Sequence, residues 1–279
     1  MDILHALVLG IVEGLTEFVP VSSTGHLILV SAWLDAGGTP GRKAANDAFD
    51  IVIQAGALLA CIGYYAPLLI ERGKGLISRD ETARQQARRL VSCLAVAFVP
   101  VVVVGLLFRK QIKALLFGPA PVALALAIGG VAMIGVELWF RRRPPPTGQL
   151  VDLTPRSALV VGLFQCLSLM PGTSRSMATL VGGMLSGLDR KAAADFAFLL
   201  AIPVLGAATA YELLKEWRIL VDGIGAPAIA VGLVAAFVAG WASISVFIRI
   251  LSRVGLIPFG VYRLIAAAVV WMTLLGQPQ

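Results

Sequence analysis

Apolar runs dominate this chain, and two polar interruptions punctuate it half a chain apart. Six stretches are long enough to cross about 30 Å of hydrocarbon, which takes roughly 20 helical residues. They are Phe49–Leu69, Leu90–Phe108, Ala120–Phe140, Ala192–Leu214, Ala226–Ile248 and Ile257–Leu275. The runs are continuous and rich in Ala, Leu, Val and Gly, as membrane helices are, without barrel-like alternation. Four further apolar stretches are too short to span. Ile3–Val12 and Leu27–Leu34 flank one polar patch, and Ala158–Leu169 and Met177–Leu188 flank the other. Segments of that length read as re-entrant or interfacial.

The order is two short helices and three spans, given twice. The expected fold is an all-α polytopic membrane protein with six transmembrane helices and two re-entrant helical hairpins in an inverted-topology repeat. It is one membrane domain over residues 1–279, with repeats 1–143 and 155–279 and a linker at 144–154 that contains Pro144-Pro145-Pro146. Three spans per half turn the second half upside down, and inverted repeats put their binding site near the bilayer midplane, where interrupted segments meet.

Composition agrees. The chain is 58% hydrophobic and 14% charged, with a mean hydropathy of +0.87, whereas soluble domains carry about 25% charged residues. The start of the chain, Met1-Asp2-Ile3-Leu4-His5, has no cationic leader or small-residue cleavage site, so no removed signal peptide is expected. Cys61, Cys93 and Cys166 are isolated in apolar runs, which gives neither a disulfide nor a metal spacing. The net charge of +7 matters through its placement. With Arg72 to Arg89, Arg141 to Arg143, Arg156, Arg190, Lys191, Arg249 and Arg253 in the cytoplasm, that side is the more basic, as the positive-inside bias requires. Arg42, Lys43, Arg109, Lys110, Lys113, Lys215 and Arg218 then lie outside. In that orientation the first hairpin enters from the external face and the second from the cytoplasm. Aromatic residues do not interleave with the basic runs as they do in single-strand binders, so no nucleic acid is expected.

The two patches resemble each other. Allowing one residue of gap, Glu13 pairs with Gln165, Thr16 with Ser168, Pro20 with Pro171, Ser22 with Thr173 and Ser23 with Ser174. Glu13 and Glu17, four apart, share one helix face. Two bare carboxylates there repel, so they need a proton or a cation between them. Hard oxygen ligands with room for phosphate and water suit Mg²⁺ or Ca²⁺. Pro20 ends the first short helix, and Ser22, Ser23 and Thr24 can cap the next, leaving N–H groups that suit phosphate. His26 follows on the first turn. The second elbow offers Gly172, Thr173, Ser174, Arg175 and Ser176 as substrate contacts. Gly172 lets backbone approach closely, and the Arg175 fork matches phosphate oxygens and keeps its charge when buried. The plainer alternatives are a solvated helix face for the glutamates, a satisfied interior histidine, and an arginine reaching for the interface. They leave the co-occurrence unexplained. Cation, guanidinium, N–H donors, candidate nucleophile and base together suit phosphoryl transfer.

At these residues the chain resembles the undecaprenyl-diphosphate phosphatase family, also described as the bacitracin-resistance protein family. The resemblance rests on Glu-x-x-x-Glu followed by Pro-Val-Ser-Ser-Thr-Gly-His, on Pro-Gly-Thr-Ser-Arg-Ser in the second half, and on Phe49-Asp50-Ile51-Val52-Ile53-Gln54. It implies a multi-pass enzyme of the bacterial inner membrane, with its site open to the periplasm. That enzyme removes the terminal phosphate of undecaprenyl diphosphate, recycles the lipid carrier for cell-wall synthesis and confers bacitracin resistance. The partners implied are a polyprenyl diphosphate lipid and the bilayer, with a homodimer left open, and a divalent cation is required. The family's functional residues fall on Glu13, Glu17, Ser23, His26 and Arg175. Glu13 and Glu17 would hold the metal, and Glu17, Ser23, His26 and Arg175 would be catalytic. The attacking group is left open among Ser23, His26 and water, since an unactivated serine is a poor nucleophile and needs His26 or Glu17 within reach. Competing readings are a lipid-phosphate flippase or secondary transporter built on the same architecture, and a channel, against which Arg175 argues.

Overall fold

The structure, a computed structural model, describes residues 1–34, 40–116 and 118–275. Ten α-helices follow one another among them: α1 Ile3–Glu17, α2 Ser23–Leu34, α3 Pro40–Leu76, α4 Glu81–Leu116, α5 Pro119–Arg141, α6 Pro155–Cys166, α7 Arg175–Leu185, α8 Arg190–Gly223, α9 Ala226–Val254 and α10 Ile257–Val270. No strand occurs among the described residues, and one isolated bridge ties Gly148 to Leu188.

Among the described residues, five helices are long and apolar enough to cross a membrane: Ala48–Leu76 of α3, Glu81–Phe108 of α4, α5, Arg190–Lys215 of α8, and α9. The expected sixth span, Ile257–Leu275, falls among the shorter apolar helices instead. Its α-helix stops at Val270 and continues to Leu275 as a π-helical turn, and Arg263 interrupts its apolar run. The helices otherwise outrun their apolar stretches. α3 and α4 carry polar ends, because hydropathy marks only the part that prefers lipid while Glu, Gln, Arg and Lys propagate a helix well. Side chains of Arg42, Lys43, Arg109, Lys110 and Lys113, counted on the outer side, lie outside the described set.

Packing between the two halves is reciprocal. The first helix of each half lies along the fourth helix of the other, α1 on α9 and α6 on α4, while α3 meets α8 and α5 meets α10. Small residues make the α1–α9 contact. A Cβ on Gly10 would sit 2.4 Å from the Gly232 carbonyl oxygen, and one on Gly14 would sit 2.5 Å from that of Ala236. This is the small-xxx-small contact that lets membrane helices touch backbone to backbone. Gly56 meets the Leu233 carbonyl oxygen, Gly130 that of Gly260, and Gly183 meets Ala193. Those glycines close helix pairs, whereas Gly105 is uncrowded, with an added Cβ 3.6 Å from its nearest neighbour.

Gly14 sits between Glu13 and Glu17, so this contact also positions them. Gly14→Val should push α1 off α9, lower the melting temperature by overpacking worth about 1–3 kcal/mol, and reduce turnover. A detergent thermal-shift assay run beside an activity assay checks both; a variant as stable and active as wild type would show that the α1–α9 contact is dispensable.

Candidate functional site

Each polar patch folds into an elbow between two short helices. Ser22 precedes α2 with φ 74°, and Ser174 precedes α7 with φ 71°. Positive φ is uncommon for residues other than glycine, Asn and Asp, and here it falls at matching places. Each serine caps the helix it opens: Ser22 Oγ accepts from Gly25 N and Ser174 Oγ from Met177 N, both at 3.3 Å. The helix starts therefore align Ser22 with Ser174 and Pro20 with Gly172, without a gap. The gapped pairing, anchored on Pro20 and Pro171, was off by one at the elbow. Glu13 still aligns with Gln165 in the ungapped register.

The elbows meet. Arg175 Nη2 donates to Glu17 Oε1 at 3.1 Å, and its Nη1 donates to the Ala197 carbonyl at 3.1 Å. The two side chains are 8% and 6% exposed. Ser23 Oγ donates to the other oxygen of the same carboxylate, Glu17 Oε2, at 2.6 Å. Phe18, packed edge-on against Phe198 with centroids 5.2 Å apart, puts its ring 5.7 Å from the Arg175 guanidinium carbon. Arg175 Nε is buried with no hydrogen-bond partner, which leaves one N–H of the fork for a ligand. Across the elbows, Ser176 Oγ donates to the Val19 carbonyl at 3.0 Å. Ser176 thereby uses its one proton, so Ser174 Oγ is the donor in the 3.0 Å contact between the two hydroxyls.

His26 is turned elsewhere. Its Nδ1 lies 2.7 Å from the Ser22 carbonyl oxygen, which can only accept, so Nδ1 carries the proton. In the neutral ring Nε2 is then an acceptor, and Tyr262 Oη lies 2.6 Å from it, with the two rings stacked at an interplanar angle of 6°. Both ring nitrogens are occupied, and neither bonds Ser23. Of the two groups expected to activate that serine, only Glu17 reaches it. Thr24 and Thr173 sit half-buried at the elbows without a side-chain bond into the cluster. Gly172 is required by its geometry, with φ 92° and an added Cβ 2.6 Å from the Val122 carbonyl oxygen.

Glu13 is wholly buried, and both its carboxylate oxygens lack a hydrogen-bond partner. Glu17 and Asp50 act on it as like charges and Arg175 as the opposite one. A carboxyl group in that position needs either a proton or a counter-charge, and a cation would meet the second need. No group of three His, Cys, Asp or Glu side chains that could hold a metal occurs among the described residues. A cation here would therefore take two glutamates and complete its shell with phosphate oxygens and water, the usual habit of Mg²⁺.

Arg263 escaped the sequence reading. It is wholly buried and donates to four backbone carbonyls: Pro20 at 3.2 Å, Gly172 at 2.9 Å, Ala125 at 3.0 Å and Leu126 at 3.4 Å. Pro20 and Gly172 are the matched positions of the two elbows, so one guanidinium from α10 clasps both turns. Gly129 leaves room for it, since a Cβ there would lie 2.2 Å from Arg263 Nη2.

Comparison with known proteins gives a consistent result. The sequence model of the family described as Bacitracin resistance protein BacA matches residues 6–269. A Sorangium cellulosum protein named undecaprenyl-diphosphatase is 52% identical over 270 residues, covering 96% of this chain and 85% of the relative. A Burkholderia ambifaria protein named undecaprenyl-diphosphatase 1 is 45% identical over 265 residues, covering 94% and 92%. One from Burkholderia mallei, named undecaprenyl-diphosphatase, is 46% identical with the same coverage.

Proposed function

The chain belongs to the bacitracin resistance protein BacA family, and from that premise we propose that its paired elbows remove the terminal phosphate of undecaprenyl diphosphate. The products are undecaprenyl phosphate and inorganic phosphate, and the protein is a membrane hydrolase. The observation that carries the site is the Glu17 carboxylate, bonded at once to Ser23 from its own elbow and to Arg175 from the other. Glu17 is the base for the Ser23 hydroxyl. Arg175 and the N–H groups opening α2 and α7 hold the terminal phosphate and stabilise charge as the anhydride bond breaks. Ser23 Oγ attacks phosphorus while its proton passes to Glu17, undecaprenyl phosphate leaves, and water then hydrolyses the phosphoserine. Water held by Glu17 and attacking directly is the other route. His26, braced by Tyr262 and Ser22, orients the turn on the more exposed flank, where Tyr262 is 45% exposed and a prenyl chain has room to approach.

Glu13 and Glu17 would hold a divalent cation, Mg²⁺ or Ca²⁺, which supplies positive charge to the diphosphate oxygens when bound. The reciprocal packing of the halves and the matching elbow serines support two re-entrant hairpins in an inverted repeat, with α10 and its π turn as a sixth crossing. The more basic loops of the sequence, taken as cytoplasmic, favour an inner-membrane setting with the elbows approached from the periplasm.

The test is phosphate release from detergent-purified chain given a polyprenyl diphosphate. Without a membrane gradient a flippase or transporter releases nothing, and that result would end the hydrolase reading. Chelation should abolish release and Mg²⁺ or Ca²⁺ restore it. Glu13→Gln should raise the cation concentration needed for half-maximal activity, and release indifferent to chelator would remove the metal from the scheme. Arg175→Lys, which trades a planar fork for a point charge, should cost about 10²-fold in kcat/KM. Activity within twofold of wild type would take Arg175 out of the site.

A further inference from the structure

A second place in the molecule is built for an anion. A cavity of about 460 Å³ opens between the C-terminal end of α5, the proline-rich linker, the start of α8 and Ser252 of α9. That is within the about 300–1,000 Å³ usual for small-ligand sites. It is separate from the elbows: along α5, the run from Ala125, bonded by Arg263, to Arg141, which lines the cavity, is about 24 Å. Four cationic side chains line it, Arg141, Arg143, Arg190 and Lys191, with Asp189 the one acid.

Those charges are incompletely balanced. Buried Glu137 accepts from Arg190 Nη2 at 2.6 Å and lies 3.5 Å from Arg141 Nε, so one carboxylate serves two guanidiniums. It also accepts from Leu256 N at 3.1 Å. Arg190 Nε is buried with no hydrogen-bond partner. Arg143 rests 4.4 Å above the Trp139 ring, held by a π face and not by an anion. Asp189 is already engaged, accepting from Ala192 N at 2.7 Å and Gln149 Nε2 at 2.8 Å. Lys191 pairs with Asp195 at 2.8 Å, and that acid also accepts from Tyr65 Oη at 2.7 Å. An oxyanion can accept from several forked donors at once, and phosphate has the shape these side chains offer.

We propose that this cavity is a second phosphate site, occupied by the phosphate of an anionic lipid headgroup. The aromatic pair Trp139 and Phe140 beside a run of arginines marks the level where a span meets headgroups. Basic pockets between membrane helices bind such headgroups. The cavity's apolar wall, Phe140 and Met184, faces the glycerol and upper acyl carbons. The site is independent of the hydrolase reading.

The probes are phosphatidylglycerol, phosphatidylcholine and inorganic phosphate, added to the full-length purified chain. Native mass spectrometry counts retained lipid, and calorimetry follows phosphate. Wild type should retain phosphatidylglycerol over phosphatidylcholine. The pair Arg141→Gln with Arg143→Gln should cut retention at least about fivefold, as should Ser252→Glu, which adds a repelling carboxylate and keeps every existing ion pair. Glu17→Gln should retain as much lipid as wild type. Saturable phosphate binding that displaces lipid and is lost in the same variants assigns the site to the bare oxyanion, and lipid retention indifferent to phosphate assigns it to the headgroup. Equal retention in wild type, the glutamine pair and Ser252→Glu overturns the proposal, as does loss in Glu17→Gln, which would move the lipid to the elbows.

Discussion

Glu17→Gln should lower the rate of phosphate release by about 10³-fold, within the about 10²–10⁴-fold that a positioned general base contributes. The amide keeps the size of the side chain and reverses half its chemistry. One carboxylate oxygen accepts from Ser23 at 2.6 Å and the other from Arg175 at 3.1 Å, so an NH₂ group in either place sets donor against donor. With the NH₂ toward Arg175 the tie across the elbows is lost, and with it toward Ser23 the serine proton loses its acceptor; in either orientation the carboxylate base is gone. Because Ser23 and Glu17 act as a unit, Ser23→Ala should be nearly as severe, and the double variant should be no more than about tenfold worse than the poorer single one. Steady-state release for the three variants reads this out. Losses that multiply would show that the two residues act independently.

Removing the clasp should have the largest effect on stability. Arg263→Met keeps the apolar length of the side chain but deletes every donor to the elbow carbonyls. Pro20 O and Gly172 O are left buried, and an orphaned buried acceptor costs about 1–3 kcal/mol, against a total stability of only about 5–15 kcal/mol for a typical domain. The expected outcome is a melting temperature lowered by many degrees and little activity. Arg263→Lys should recover part of the stability and less of the activity, since one ammonium cannot reach four carbonyls spread over three segments. A methionine variant that melts like wild type and turns over normally would show the clasp to be incidental.

The elbows were legible because they break a pattern. Pro20 with three hydroxyls, and Pro171 with Gly172 and Arg175, interrupt apolar runs that nothing else in those segments interrupts, and carboxylates four apart declare a shared face. Arg263 carried a signal, an arginine inside an apolar run, but its role was not legible, because its partners are carbonyl oxygens of Pro20, Ala125, Leu126 and Gly172, and backbone acceptors leave no trace in residue type. Tyr262 was hidden for a related reason: it joins His26 across 236 positions of sequence, and a tyrosine near the start of an apolar run reads as an interface anchor. The elbow register slipped by one because two prolines looked equivalent, whereas the constraint belongs to the positive φ of Ser22 and Ser174, which serine does not advertise. Helix lengths were underestimated at the polar ends of α3 and α4, while the Ile257–Leu275 stretch is helical to its end but passes from α to π after Val270 and holds a buried arginine.

The contact of α1 with α9 has a bearing on biosynthesis. Gly10 and Gly14 leave the ribosome long before Gly232 and Gly240 exist, and at about 5–20 residues per second the delay is roughly 10–40 s. Over that interval the newborn amino-terminal hairpin has α3 beside it but lacks α9, the helix along which α1 packs most extensively. The amino-terminal hairpin therefore takes its final seat only after α9 has been made.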